Sequence, residues 1–220
     1  MEKNKEYIQH GTEKWKKVRS GKFTPSELHR LMTEPKVKTE VLSVGAISYI
    51  KEKIAETLIE DFTDENTFTN AATAWGNSYE DEAISIFADL TDKEIIKPGF
   101  IEQNDYFGGT PDGIAADGSF GIEVKCPYNP AIHLDNLFLD QVEFAKARKE
   151  YYYQIQGYAL LTGIEDWYFI SYDPRQQEPF KLRHLLIKRD KEVQKRIIGK
   201  LQIANNFKQQ LISNLNNQIK

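Results

Sequence analysis

Hydrophobic positions recur along this chain with two periods, and the periods divide it into helices and strands. From Ser43 to about Ile59, the residues Ile47, Ile50, Ile54 and Leu58 keep to one side of a 3.6-residue repeat, which predicts a helix with that side buried. A second helix is predicted from Thr73–Asn77 towards Leu90, with Ala83, Ile84 and Phe87 as its apolar stripe. Residues 131–149 predict one or two helices, and Tyr151, Gln154, Tyr158 and Leu161 share a stripe on the next. A terminal helix is predicted from Asp190 to Leu211, with the Asn/Gln-rich tail fraying beyond it. Alternation with period two predicts a strand at 121–126 and another at 167–172 that ends at Asp173-Pro174, with 180–188 as its antiparallel partner. Residues 94–101 and 105–110 also read as strands. Residues 12–32 predict one or two helices broken at Ser20-Gly21, the second opened by Thr24 as N-cap, Pro25 at the first position and Glu27 completing a capping box. Residues 34–43 and 60–72 read as loops.

Some polar residues sit where this pattern expects apolar ones. Glu80 falls on the stripe of Ala83, Ile84 and Phe87, and an inward carboxylate is costly unless it meets a cation or a metal. An acid in the first turn, complementing the helix dipole, is the alternative. Gln154 lies among tyrosines and needs hydrogen-bonding partners. On strand 121–126, Glu123 and Lys125 point to one face while Ile122, Val124 and Cys126 point to the other. Upstream, Thr110-Pro111-Asp112-Gly113 favours a turn, and a hairpin through Ala115-Ala116-Asp117-Gly118 would fold Asp112 back beside Glu123. Two carboxylates and an ammonium group would then share one pocket. Mg²⁺ suits such a pocket, because it takes one or two carboxylates, keeps several waters and leaves room for phosphate oxygens. The lysine would position or deprotonate an attacking water and offset developing charge. A surface hairpin with an ordinary Glu–Lys pair is the plain alternative. At the other end of the chain, the helix start at Thr24–Glu27 offers free N–H groups and the Ser26 hydroxyl, with Arg19 just upstream. That is either a phosphate cradle or an ordinary capped helix.

Composition narrows the picture. At 220 residues, 40% hydrophobic and 12% aromatic, residues 1–220 are expected to form one globular, enzyme-sized domain. A single cysteine excludes an internal disulfide framework and any four-cysteine zinc or iron–sulfur site within one chain. No apolar run approaches the roughly 18 residues of a membrane span, and the expectation is a cytoplasmic protein. The net charge of −4 argues mildly against nucleic acid, but its distribution argues for it. Between Glu13 and Lys38 there are eight Lys/Arg against three acids, and between Lys181 and Lys200 eight against two; from Glu56 to Glu94 there are eleven acids and one lysine. Segregated charge lets an acidic protein present one basic surface.

An acid on a helix, then Pro-Asp, then Glu-x-Lys on a strand, then a Gln/Tyr helix resembles the PD-(D/E)xK nucleases. More narrowly, the chain resembles the phage lambda-type 5′→3′ exonucleases, or YqaJ-like viral recombinases. The matching stretches are 15–27, 74–83, 110–113, 121–127, 154–156 and 167–175, in the family's order over almost the whole chain. The resemblance implies an α/β (α+β) restriction-endonuclease-like core, a central mixed β-sheet flanked by helices. It implies that Asp112, Glu123 and the Val124 carbonyl bind Mg²⁺ (two ions, with Mn²⁺ as substitute), and that Glu80 completes the second ion's shell. Lys125 would orient or activate the attacking water, and Gln154 would help to hold both. Arg19, Ser26 and Thr110 match the positions that hold the 5′-terminal phosphate, threonine here replacing the usual serine before the proline. The implied activity is degradation of one strand of linear double-stranded DNA from its 5′ end, leaving a 3′ overhang. The implied assembly is a homotrimeric ring on DNA ends, working beside a single-strand annealing protein. The competing readings are an endonuclease or CRISPR-associated end-processing nuclease on the same fold, against which the single Cys126 counts, and a DNA-end-binding module with a structural ion.

Overall fold

The computed structural model describes residue 8, residues 11–60 and residues 71–219. The loop expected at 60–72 lies almost wholly outside the described residues. The chain opens with α1 (Glu13–Arg19), a 3-10 turn (Pro25–Glu27) and α2 (Leu28–Leu31), followed by the long helices α3 (Val44–Leu58) and α4 (Ala71–Thr91). Five short strands come next: β1 (Ile95–Ile96), β2 (Ile101–Asn104), β3 (Phe107–Gly109), β4 (Gly113–Ala115) and β5 (Gly121–Lys125). Helices α5 (Pro130–Phe138), α6 (Gln141–Ala147) and α7 (Lys149–Thr162) lead to β6 (Asp166–Tyr172), β7 (Leu182–Lys188) and the terminal helix α8 (Lys191–Gln218).

The central sheet has the order β1-β4-β5-β6-β7, while β2 and β3 pair separately. β5 and β6 run parallel, from Gly121↔Trp167 to Lys125↔Ser171, and the other pairs of the central sheet are antiparallel. The three helices α5–α7 supply the connection that a parallel pair requires. This is the mixed sheet flanked by helices that the sequence led us to expect. Alternation along β6 builds both layers. Ile170 and Tyr172 pack with Ala83, Ile84 and Phe87 of α4 on one face, while Trp167 and Phe169 pack with Phe144, Ile155 and Tyr158 of α6 and α7 on the other. A further cluster, including Leu28, Tyr49, Ile50, Ile197 and Leu201, joins α2, α3 and α8.

Four local expectations are corrected. The strand expected over 94–101 is broken by Pro98-Gly99, with Gly99 at φ +68°, so β1 and β2 enter different sheets. The capping box at Thr24 does not form: the Thr24 N–H donates to the Tyr49 hydroxyl at 3.1 Å, Glu27 pairs with Arg30, and the first turn tightens to 3-10. Leu58 is 64% exposed, because it lines an open groove between α3 and α8, beside Leu211 and Leu215, while Ala46, Tyr49, Ile50 and Ile54 are buried. The Asn/Gln-rich tail does not fray at Leu211, since α8 continues to Gln218.

Candidate active site

The hairpin β4–β5 sets the centre of the site. Its register pairs Gly113 with Ile122, which puts Asp112 opposite Glu123. Pairing stops there, so the N–H of Val124 has no strand partner on that side and donates instead to Asp112 Oδ2 at 2.7 Å. An extended residue sends its N–H and C=O to the same side. The Val124 carbonyl therefore opens towards Asp112 as well.

Glu123 is fully buried. One carboxylate oxygen accepts a short hydrogen bond from Lys125 Nζ, and the other, Oε2, is buried with no partner. The Lys125 ammonium also lies over the Tyr151 ring, 5.3 Å from its centroid. Burial, with the neighbouring Asp112 charge, pushes Glu123 up to about 8. Burial raises Asp112 to about 6 against the opposing pull of Lys125. Burial works against the Lys125 charge, but Glu123 and Asp112 outweigh it and hold the ammonium above its ordinary range. Cys126, next on the strand, is pushed up to about 12 by burial and the Glu80 charge, so its thiol stays protonated at neutral pH.

Glu80 stands apart from this pair. Its carboxylate is held by Lys97 at 2.9 Å, and among the described residues no three His, Cys, Asp or Glu side chains converge as a ready metal cluster. Its charge is nevertheless felt at both Asp112 and Glu123, whose protons it helps to retain. Two carboxylates and a main-chain carbonyl, without imidazole or thiolate, form an oxygen-only donor set that fits a hard divalent cation. The buried, unpartnered Glu123 Oε2 fits it too, since an orphaned carboxylate oxygen is costly without a cation to take it up.

A hydrogen-bonded chain leads from this centre to the N-terminal helix. Gln154 Nε2 donates to the Tyr158 hydroxyl at 3.2 Å, and that hydroxyl donates to the Thr110 carbonyl at 2.9 Å. Trp15 Nε1 donates to Thr110 Oγ1 at 2.8 Å, and the Arg19 guanidinium lies over the Trp15 ring at 5.2 Å. Ser26 Oγ is 3.2 Å from Thr24 Oγ1, on the 3-10 turn that presses against β3 and α7. A Cβ on Gly109 would sit 2.5 Å from Pro25 Cδ, and one on Gly157 would sit 2.6 Å from Leu28 Cδ1, so only glycine admits this approach. The structure thus brings Arg19 and Thr110 together through Trp15, and seats the turn carrying Ser26 against the residue before Thr110. Gln154 is a helical turn from Tyr158, and its side-chain amide is engaged by that hydroxyl. Periodicity places Tyr158 on the stripe of its helix and gives the Trp15 indole N–H no role, so the polar ends of both are missed in the sequence. The available signal was general: a buried indole N–H or phenol needs a partner.

A family profile, the YqaJ-like viral recombinase domain, matches residues 14–165. The solved structure of an alkaline exonuclease from Laribacter hongkongensis (LHK-Exo) is 26% identical, superimposes with a TM-score of 0.80, and covers 94% of this chain and 98% of its own. That enzyme has also been solved in complex with dAMP, with the same identity, coverage and TM-score. A phage-related exonuclease from Haemophilus somnus 129PT, at 23% identity and a TM-score of 0.69 over 88% of this chain and 96% of its own, shares the fold. No curated protein matches the chain. The profile spans well over half of the chain, and the chain belongs to the YqaJ-like viral recombinase domain family.

Proposed function

We propose that the protein is a Mg²⁺-dependent 5′→3′ exodeoxyribonuclease that degrades one strand of linear duplex DNA and leaves a 3′ single-stranded overhang for annealing-type recombination. The observation that carries this reading is the Asp112–Glu123–Lys125 group, with Glu123 fully buried and its Oε2 orphaned. The relatives named as exonucleases point the same way. Asp112, Glu123 and the Val124 carbonyl would hold the ion, and Glu80 would complete the shell of a second. When bound, Mg²⁺ polarises the phosphoryl oxygen and makes a water nucleophilic near neutral pH. Lys125 orients the attacking water and offsets charge on the phosphate. Gln154 and Tyr158 fix the Thr110 carbonyl, and so the entry of the chain into Pro111-Asp112. Arg19, Ser26 and Thr110 receive the 5′-terminal phosphate, whose extra charge suits a guanidinium and hydroxyls. Gripped there, the strand lays its first diester over the carboxylates.

Incubation with linear and covalently closed circular DNA, with and without Mg²⁺, tests the activity. Loss of the linear form only, and only with Mg²⁺, is expected; nicking of the circle would point to an endonuclease. A homotrimeric ring would enclose the duplex, and light scattering at micromolar concentration should give three times the 25.5 kDa chain mass. A monomer that still digests processively would rule the ring out. A single-strand annealing protein is the partner that the overhang calls for.

A further inference from the structure

Arg175, just after β6, ends the last matching stretch of the sequence and has no part in the site described above. Asp173 is fully buried, and its carboxylate accepts from Arg175 Nε at 2.7 Å, from Nη2 at 2.9 Å and from the Arg175 main-chain N–H at 3.1 Å. This closed pairing fixes the guanidinium plane. Nη2 then donates to the carbonyls of Tyr128 at 3.0 Å and Pro127 at 3.4 Å, in the turn that follows Lys125. The face of the group covers the Trp75 ring of α4 at 4.2 Å. Trp75 packs in turn on Tyr79 at 4.4 Å, the residue before Glu80, and meets Tyr128 edge-on at 5.9 Å. One side chain therefore joins the ends of β6 and β5 to the N-terminal half of α4. Besides this tie, Tyr172 donates to Glu82 at 2.6 Å and Lys97 holds Glu80 and Asp81, but no buried apolar stripe seats that half. The buried stripe of α4 begins only at Ala83, and residues 71–74, 77–78 and 81–82 are exposed.

We propose that Arg175 is a positioning residue, which docks α4 through Trp75 and so sets how close Glu80 can come to the Asp112–Glu123 pair. It rests on the proposed metal centre. Arginine is required because the task combines a flat face for the indole with a fork for one carboxylate and two carbonyls, which a lysine ammonium cannot reproduce.

The test is Mn²⁺ binding to the full chain, followed by the electron paramagnetic resonance of free Mn²⁺ and without DNA. Arg175→Lys and Trp75→Leu should each weaken the Mn²⁺ Kd about ten-fold, the scale seen when a residue behind a metal ligand is lost. Glu80→Gln should do the same, and Arg175→Lys should add little on top of it. Thermal melts identify a variant that fails to fold, and Trp75→Leu leaves the Asp173–Arg175 pairing intact. Folded variants with an unchanged Kd would overturn the proposal, as would additive losses in Glu80→Gln/Arg175→Lys. Absence of Mn²⁺ binding by the wild type would instead remove the metal centre itself.

Discussion

Asp112 shows how a candidate catalytic group works against the fold that holds it. Its carboxyl is raised to about 6, above the usual value near 4, so what it contributes to stability when protonated is complete below about pH 4 and is lost as pH climbs through 6. Asparagine would keep an acceptor for the Val124 N–H and remove the charge. Without metal, Asp112→Asn should therefore melt above wild type at pH 8, the difference vanishing by pH 4, while cleavage is abolished. Melting curves at the two pH values check this, and a pH-independent difference would refute it. Lys125→Ala should lower turnover by about 10²–10³, the cost of losing one preorganised donor, with a smaller effect on DNA affinity. Single-turnover rates against binding isotherms separate the two effects.

At the scale of elements, the 5′-phosphate prediction rests on α1 reaching Thr110. Trp15→Phe keeps the ring beneath Arg19 but loses the 2.8 Å hydrogen bond, so the preference for 5′-phosphate over 5′-hydroxyl ends should shrink, and Arg19→Ala should erase most of it. Digestion rates on the two end types decide this; an unchanged preference in Arg19→Ala rules the pocket out. The break at Ser20-Gly21 is equally constrained. Gly21 has φ +70°, and a Cβ there would lie 2.3 Å from Thr57 Cγ2, so Gly21→Ala should lower the melting temperature by several degrees. The elements that could be read from the sequence were those whose apolar and aromatic positions recur with a regular spacing: α3, α4, α7, β5 and β6. The hairpin placing Asp112 opposite Glu123 was readable too, because turn residues and alternation agreed. Thr24 misled because capping depends on a competitor, the Tyr49 hydroxyl, that is 25 residues away. Arg175 could not be found from spacing, since its partners, Asp173, Pro127-Tyr128 and Trp75, come from three separate stretches of chain.

At the scale of the molecule, the two basic stretches of the sequence meet. Arg196 and Lys200 of α8 both approach Glu34, at 3.8 and 3.4 Å, which joins residues 13–38 to residues 181–200. DNA affinity should accordingly fall steeply with salt, with a log–log slope of about −0.9 per phosphate contacted. A flat dependence in a salt titration would deny that surface its role. Lys208 of α8 carries a different consequence. Its ammonium donates to the carbonyl of Gly21 across 187 residues, and the Gly21 N–H is taken by Glu56, so the turn that sets α1, and with it Arg19, is fastened from the second half of α8. A ribosome makes that half of α8 well after the β4–β5 hairpin. A nascent chain can therefore form the hairpin with its carboxylates before Lys208 exists to fasten the turn that carries Arg19.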